Sequence, residues 1–306
     1  MISENIQITL PFLSEKDVEL YVKREDLLHP YISGNKYRKL KYNLQEAKNQ
    51  GKQCLLTFGG AYSNHILATA VAGKEYDFKT VGIIRGEELG VNLEKTLSQN
   101  ATLRQAHQFG MEFLFVTRTA YQQKKNTSFL ASLKIKYPNS YIVPEGGTNG
   151  LAIKGCEEIL SVLDKNATHI ACAMGTGGTV TGIINSCQQN QQVLVFPALK
   201  GNWILDEIHS LQPNKKNWKV ISKYHFGGYA KVPDELITFI NQFKKQTNIP
   251  LDPIYTGKMM FGIYDLIEKG YFPKSSKILA IHTGGLQGIK GMNAVLKKKN
   301  QLEIVE

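Results

Sequence analysis

The sequence predicts an α/β protein built on mainly parallel sheets and divided into two domains. Short apolar runs alternate with longer amphipathic stretches, which is the rhythm of β-α units. The chain has 306 residues, more than one compact domain usually takes, and its apolar runs suggest more strands than one small sheet holds. The glycine-rich segment Pro144-Glu145-Gly146-Gly147-Thr148-Asn149-Gly150 offers an internal boundary.

Taken in order, the candidate strands are Cys54 to Phe58, Thr80 to Ile84, Met111 to Val116, Tyr141 to Val143, His169 to Met174, Val193 to Ala198, Trp218 to Ile221 and Ile278 to His282. Each is short, apolar and bounded by turn residues. Between them, 3.6-residue periodicity predicts helices over Lys36 to Asn49, Asn64 to Tyr76, Asn92 to Phe109, Leu151 to Leu163, Thr179 to Gln188, Pro233 to Thr247 and Gly257 to Lys269. Thr148 or Asn149 can cap the helix after the boundary. Neither a fixed-period repeat nor a low-complexity segment is visible.

Composition narrows the classes. Thirty-seven basic against 26 acidic residues give a formal charge of +11. The lysines are interspersed with acidic residues except at Lys297-Lys298-Lys299, so the charge favours anionic small molecules over a nucleic-acid surface. Zinc-finger spacing, an RNA-binding aromatic signature and H-E-x-x-H are all lacking, and no metal site is expected. The four cysteines, Cys54, Cys156, Cys172 and Cys187, are widely spaced without a C-x-x-C pair and are expected to be reduced thiols of a cytoplasmic protein. The N-terminus has no basic start followed by an apolar core, and no apolar run approaches bilayer length, so a membrane protein is not expected.

Three segments carry chemistry. Ser33-Gly34-Asn35-Lys36-Tyr37-Arg38-Lys39-Leu40 places Lys36 behind a small loop and at the start of a helix. Burial beside Arg38 and Lys39 would lower the pKa of that amine and free it to attack an aldehyde. On its own, such a segment is more often a solvated helix face. Gly175-Thr176-Gly177-Gly178-Thr179 follows the apolar run Ile170 to Met174 and leads into a helix, so its peptide N–H groups and threonine hydroxyls can converge on a phosphate. A dinucleotide turn is the rival there, but the third glycine of G-x-G-x-x-G would fall on Val180, and the next strand ends without an acidic residue for a ribose. Gly59-Gly60-Ala61-Tyr62-Ser63-Asn64-His65 repeats the strand, glycine turn and helix start. Its serine could be a plain N-cap or could meet a substrate carboxylate, and it lacks the G-x-S-x-G spacing of a serine hydrolase. Together the three segments point to an enzyme that uses pyridoxal phosphate.

With Lys23-Arg24-Glu25-Asp26, Leu251-Asp252-Pro253-Ile254-Tyr255-Thr256-Gly257-Lys258 and His282-Thr283-Gly284-Gly285 added in order, the chain from about Val22 to Gly285 resembles the 1-aminocyclopropane-1-carboxylate deaminase and D-cysteine desulfhydrase family. That resemblance implies two three-layer α/β domains of the tryptophan synthase β type (fold type II), with a smaller domain over residues 44–150 and a larger one from 1–43 and 151–306. It implies that Lys36 binds the cofactor covalently, and that Lys39 and the loop Gly175, Thr176, Gly177, Gly178 and Thr179 hold its phosphate. Asn64 would face the ring 3′-oxygen, Ser63 the substrate carboxylate and Thr283 the pyridine nitrogen, with Tyr229 and Tyr255 as the two active-site tyrosines.

The family's deaminase branch has glutamate after the tyrosine of its Asp-Pro-x-Tyr motif, whereas this chain has Thr256. The desulfhydrase pattern matches, so the resemblance implies β-elimination on a small amino acid, D-cysteine foremost, with cyclopropane ring opening or a non-catalytic cofactor-binding role as alternatives. It also implies a homodimer. Three departures from the family pattern lie near the substrate side: Ser33 before Gly34, Tyr62 before Ser63, and Leu286-Gln287-Gly288 after the last glycine pair.

Overall fold

A computed structural model describes residues 1–32, 34–201, 203–211 and 213–306. Ser33, one of the three departures, lies outside the described residues. The described residues form ten strands: β1 (Asn5–Ile8), β2 (Val18–Lys23), β3 (Cys54–Gly59), β4 (Lys79–Arg85), β5 (Met111–Val116), β6 (Ser140–Val143), β7 (His169–Met174), β8 (Gln192–Pro197), β9 (Trp218–Val220) and β10 (Ser276–Ile281). They form a six-stranded sheet in the order β1-β2-β10-β7-β8-β9 and a four-stranded sheet in the order β5-β4-β3-β6. Every pairing is parallel except β1 with β2.

Parallel sheets need both faces covered, and the side-chain alternation of the strands shows how that is met. In the larger sheet, Ala171, Ala173, Leu194, Phe196, Ile278 and Ala280 pack with Leu236, Ile240, Met259 and Ile263 from the helices Asp234–Thr247 and Thr256–Glu268. The intervening residues Ile170, Cys172, Met174, Val193, Val195 and Leu279 pack on the opposite face against Cys156, Ile183 and Ile208. The smaller sheet is sandwiched likewise. Leu55, Ile84 and Val143 meet Leu44, Leu67 and Leu103 on one side, while Leu56, Phe58, Val81 and Ile83 meet Tyr121 and Leu133 on the other. The architecture is therefore two three-layer α/β sandwiches, as predicted.

All eight predicted strands are present, and the sequence reading missed β1 and β2. The predicted helix from Asn92 to Phe109 is two helices, Leu93–Gln99 and Ala101–Gln108. Asn100 between them is extended, with ψ of 103°, and its side chain accepts from Leu103 N–H, capping the second. The predicted helix from Leu151 to Leu163 stops at Glu157, followed by a 3₁₀ turn over Val162–Asp164. Asn149 provides the cap of that helix by accepting from Ala152 N–H, which leaves Thr148 free for another task. No described helix is long and apolar enough to cross a membrane.

The Lys23-Arg24-Glu25-Asp26 segment proves to be internal scaffolding. Lys23 is fully buried and pairs with Asp164 at 2.9 Å, and Glu25 accepts from Arg38 Nε at 2.8 Å and Nη2 at 2.9 Å. Arg24 forms a two-point pair with Asp26.

Candidate active site

Loops at the carboxyl ends of β3, β7 and β10 converge with the amino end of the helix Asn35–Asn49, the place where open parallel sheets take ligands. Gly34 makes this convergence possible. Its φ is +60°, and a Cβ there would lie 2.0 Å from the Thr283 carbonyl oxygen, which accepts from Asn35 N–H at 3.3 Å. Only glycine allows the helix to start against the β10 loop so closely. The helix start therefore brings Lys36 to the residues that follow β10.

Lys36 and Lys39 are close enough for the charge of one to act on the other. The Lys36 amine donates to Asn35 Oδ1 at 3.0 Å, and loss of hydration together with the charge of Lys39 pushes its pKa down to about 7. The Lys39 ammonium is buried and reaches Gly146 O at 3.0 Å, Thr148 Oγ1 at 2.9 Å and Thr176 Oγ1 at 3.3 Å; burial lowers its pKa too. Arg38 does not contribute to this field as expected from sequence, because its guanidinium is turned onto Glu25 and neutralised there. Among the described residues neither amine is in an ion pair with a carboxylate.

Gly175 to Thr179 wraps the space beside Lys39. Gly177 is left-handed at φ 79° and precedes the helix Gly178–Ser186, whose amino end has no side-chain cap. A Cβ on Gly178 would come within 3.4 Å of Lys39 Nζ, and one on Gly175 would come 3.2 Å from the Tyr255 ring. Thr179 Oγ1 accepts from Asn35 Nδ2 at 2.8 Å, joining this loop to the Lys36 helix. An uncapped helix end, two hydroxyls and a buried ammonium without a counter-ion are the donor set of a phosphate dianion site. The residues fit the phosphorylated cofactor that the sequence pointed to.

The β3 loop closes the other side. Ser63 stands at the N-cap position of the helix Asn64–Glu75, yet its side chain makes no capping bond. Asn64 Nδ2 lies 3.0 Å from where a Gly285 Cβ would be, which sets its amide against the β10 loop. Ser63, Asn64 and Thr283 side chains all lack hydrogen-bond partners among the described residues, and Thr283 is buried. Unpaired polar side chains gathered beside the Lys36 helix start are what a polar ligand would satisfy.

Two further groups brace the site. Thr57 donates to Val143 O at 2.9 Å and stands 2.8 Å from His65 Nε2, so that nitrogen carries the proton and Nδ1 is left buried without a partner. Burial and the nearby Lys36 and Lys39 hold the His65 pKa well below its usual value, which keeps the ring neutral. Asp252 is buried and accepts from the backbone N–H of Ile254, Tyr255 and Thr256 and from Thr256 Oγ1. That fan of bonds sets the angle of Tyr255, whose ring meets Tyr229 edge-on at 6.4 Å. Burial, with Tyr229 and Asp252 beside it, drives the Tyr255 phenol well above its ordinary pKa.

The structure thus brings Lys36, Lys39, Asn64, Thr283 and the Gly175 to Thr179 loop into one network of contacts, with Ser63 preceding Asn64 at the same helix start and the two tyrosines at its Gly175 side. Sequence reasoning missed Thr148, Asp252 and Gly146 as contributors. Thr148 was legible only as a cap, and Asp252 only as part of a motif.

Residues 6–284 match the family described as pyridoxal-phosphate dependent enzyme. A Pyrococcus abyssi protein provisionally named 1-aminocyclopropane-1-carboxylate deaminase is 32% identical, over 92% of this chain and 88% of its own length. A D-cysteine desulfhydrase of Yersinia enterocolitica is 28% identical over 87% of this chain and 86% of its own. Among solved structures, one described as an ACC deaminase homologue superposes with a TM-score of 0.80 at 26% identity, covering 96% of this chain and 93% of that one.

Proposed function

This chain belongs to the family of pyridoxal-phosphate dependent enzymes, and from that premise we propose that it eliminates the β-substituent of a small amino acid, D-cysteine foremost. With water, the products are pyruvate, ammonia and hydrogen sulfide. The observation that carries the reading is the Lys36 amine, desolvated beside Lys39 and poised at about 7, where it can both give and take a proton near neutrality.

When bound, the cofactor supplies an electron sink for the negative charge left when the α-proton is removed. Lys36 is the covalent attachment point, and its freed amine is the base for that proton. Lys39, Thr176 and the N–H groups of Gly177 to Thr179 hold the phosphate. Asn64 would donate toward the ring oxygen, Ser63 would bind the substrate carboxylate, and the hydroxyl of Thr283 would meet the ring nitrogen. A hydroxyl, unlike a carboxylate, would not hold a proton on that nitrogen, so the bound cofactor would favour elimination of a leaving group over long storage of negative charge. Tyr229 and Tyr255 flank the substrate on the side of Gly175.

Branch choice is supported at position 256. Thr256 is buried, and its hydroxyl bonds to Asp252 at 2.8 Å, so no carboxyl follows Tyr255 to serve ring opening. The Pyrococcus relative's name supports 1-aminocyclopropane-1-carboxylate as the second reading. We read residues 44–150 as the smaller unit that closes on the remainder, and the molecule as a cytoplasmic homodimer. Four free thiols support the compartment, and the family resemblance supports the dimer.

Borohydride reduction of the holoenzyme followed by peptide mapping tests the attachment: a cofactor adduct is expected on Lys36 and none in Lys36→Ala. An adduct elsewhere would refute the assignment. A panel of D- and L-cysteine, D-serine, β-chloroalanine and 1-aminocyclopropane-1-carboxylate tests the reaction. Pyruvate from D-cysteine is expected, and 2-oxobutyrate from the cyclopropane would overturn the branch.

A further inference from the structure

Tyr229 sits in a loop whose backbone is unusual. Phe226 (φ 54°), Gly227 (φ 89°), Gly228 (φ 121°) and Ala230 (φ 56°) all adopt positive φ. For Phe226 and Ala230 such a conformation is disfavoured, and it persists only where surrounding structure enforces it.

The enforcing contact comes from Lys258, in the first turn of the helix Thr256–Glu268 that begins just after Tyr255. Its side chain is 2% exposed, and its Nζ donates to His225 O at 3.0 Å and to Gly228 O at 2.8 Å. Those two carbonyls are also the acceptors of successive turns, from Gly228 N–H at 3.0 Å and Lys231 N–H at 3.2 Å. One amine thus pins both ends of the turn that presents Tyr229, and it does so from the helix that carries Tyr255 at its start.

We propose that Lys258 is a positioning residue: its ammonium clamps the 225–231 loop and so holds Tyr229 against Tyr255, and the clamp loosens when the ammonium loses its proton. This rests on the reading of Tyr229 as an active-site group. Bonds from an ammonium to carbonyl oxygens are charge-assisted, and they weaken when the amine is neutral. Three features ease that loss of a proton. The side chain is buried, it lies at the positive end of a helix, and among the described residues no carboxylate is in salt-bridge contact with it. Burial lowers its pKa to about 8, with Asp252 acting in the opposite direction. The other polar groups facing this neighbourhood are turned elsewhere. His225 Nδ1 accepts from Gly227 N–H at 2.9 Å, Tyr224 donates to Asp265 at 2.6 Å, and a Cβ built on Gly228 would lie 3.7 Å from Lys200 Cβ.

Amide hydrogen exchange of residues 226–231 and D-cysteine turnover of the holoenzyme together test this. After correction for intrinsic rates, these amides should exchange about tenfold faster at about pH 9 than at about pH 7 in the unmodified protein. In Lys258→Met they should be fast at both. Protection that is independent of pH in the unmodified protein overturns the proposal, even if the variant fails to fold. In turnover, Lys258→Met should lower kcat/KM about tenfold or more while cofactor absorbance and affinity stay within about twofold. Tyr229→Phe should add less than about twofold on that background, although it costs about tenfold alone. Independent, multiplying losses would show that Lys258 does not act through Tyr229. If the unmodified protein turns over no substrate in the panel, the functional reading fails, while the exchange arm still decides the role of Lys258.

Discussion

Lys36 and Lys39 lie one helical turn apart on the same face of the helix Asn35–Asn49, and the charge of the second helps bring the first down to about 7. The pair divides its work. Lys39 is held by three oxygens, whereas among the described residues Lys36 has only Asn35 as partner.

Removing Lys39 should therefore alter two properties at once. In Lys39→Met the Lys36 pKa rises toward the ordinary lysine value, seen as an alkaline shift in the pH profile of amine acylation in cofactor-free protein. Affinity for pyridoxal phosphate falls by roughly tenfold to a hundredfold, as expected for loss of a charged hydrogen-bond donor worth about 1.5–3 kcal/mol. An unchanged acylation profile would remove Lys39 as a cause of the shift.

The depressed Lys36 pKa also sets a stability trend. The folded value is about 7 against 10.5 for a free lysine, so between these the unfolded chain binds more protons. Stability of the cofactor-free protein should rise with pH through that window, and below it the full cost of burying the ammonium is present. Lys258 acts with the same sign above about 8, so the comparison must be made with Lys36→Met. The urea-unfolding difference between the two proteins should move by on the order of 2 kcal/mol across the window in favour of the unmodified chain as pH rises. A constant difference would contradict the buried-amine picture.

Gly34→Ala should cost more than about 2 kcal/mol, because the new methyl meets the Thr283 carbonyl in addition to the strain of positive φ. Gly51 is the control. Its φ is +63°, with nothing within 4 Å of a Cβ, so Gly51→Ala should cost only about 1 kcal/mol. Thermal unfolding of the two variants makes the comparison.

Ser63→Ala separates folding from function. An N-cap serine that bonds the helix contributes about 1 kcal/mol, but Ser63 makes no such bond. Stability should fall by less than about 0.5 kcal/mol, while kcat/KM for D-cysteine drops about tenfold or more. A large stability loss would return Ser63 to a structural role.

Much of this was legible in the chain because its signals are local. The buried strands of parallel sheets are continuous apolar runs, and the glycine turns that follow β3 and β7 are adjacent in sequence to the strands they end. β2 was missed although Val18, Leu20 and Val22 alternate with polar or half-buried neighbours. Besides nearby β1, its partner is β10, more than 250 residues away, and no local pattern reports that parallel pairing. Asn100 shows a related gap, since one polar residue inside a helical pattern can be a surface position or a break. Lys258 was invisible for a further reason: a lysine in a first helical turn ordinarily reads as solvated, and its burial depends on a loop some thirty residues earlier in the chain.

The β2 and β10 pairing has a consequence for biosynthesis. Asn35 and Thr283 are joined only when β10 is inserted beside β2, so residues through Thr283 must be synthesised before the helix start that carries Lys36 is braced. A nascent chain stalled before Ser276 would hold its reactive lysine on an unfinished scaffold.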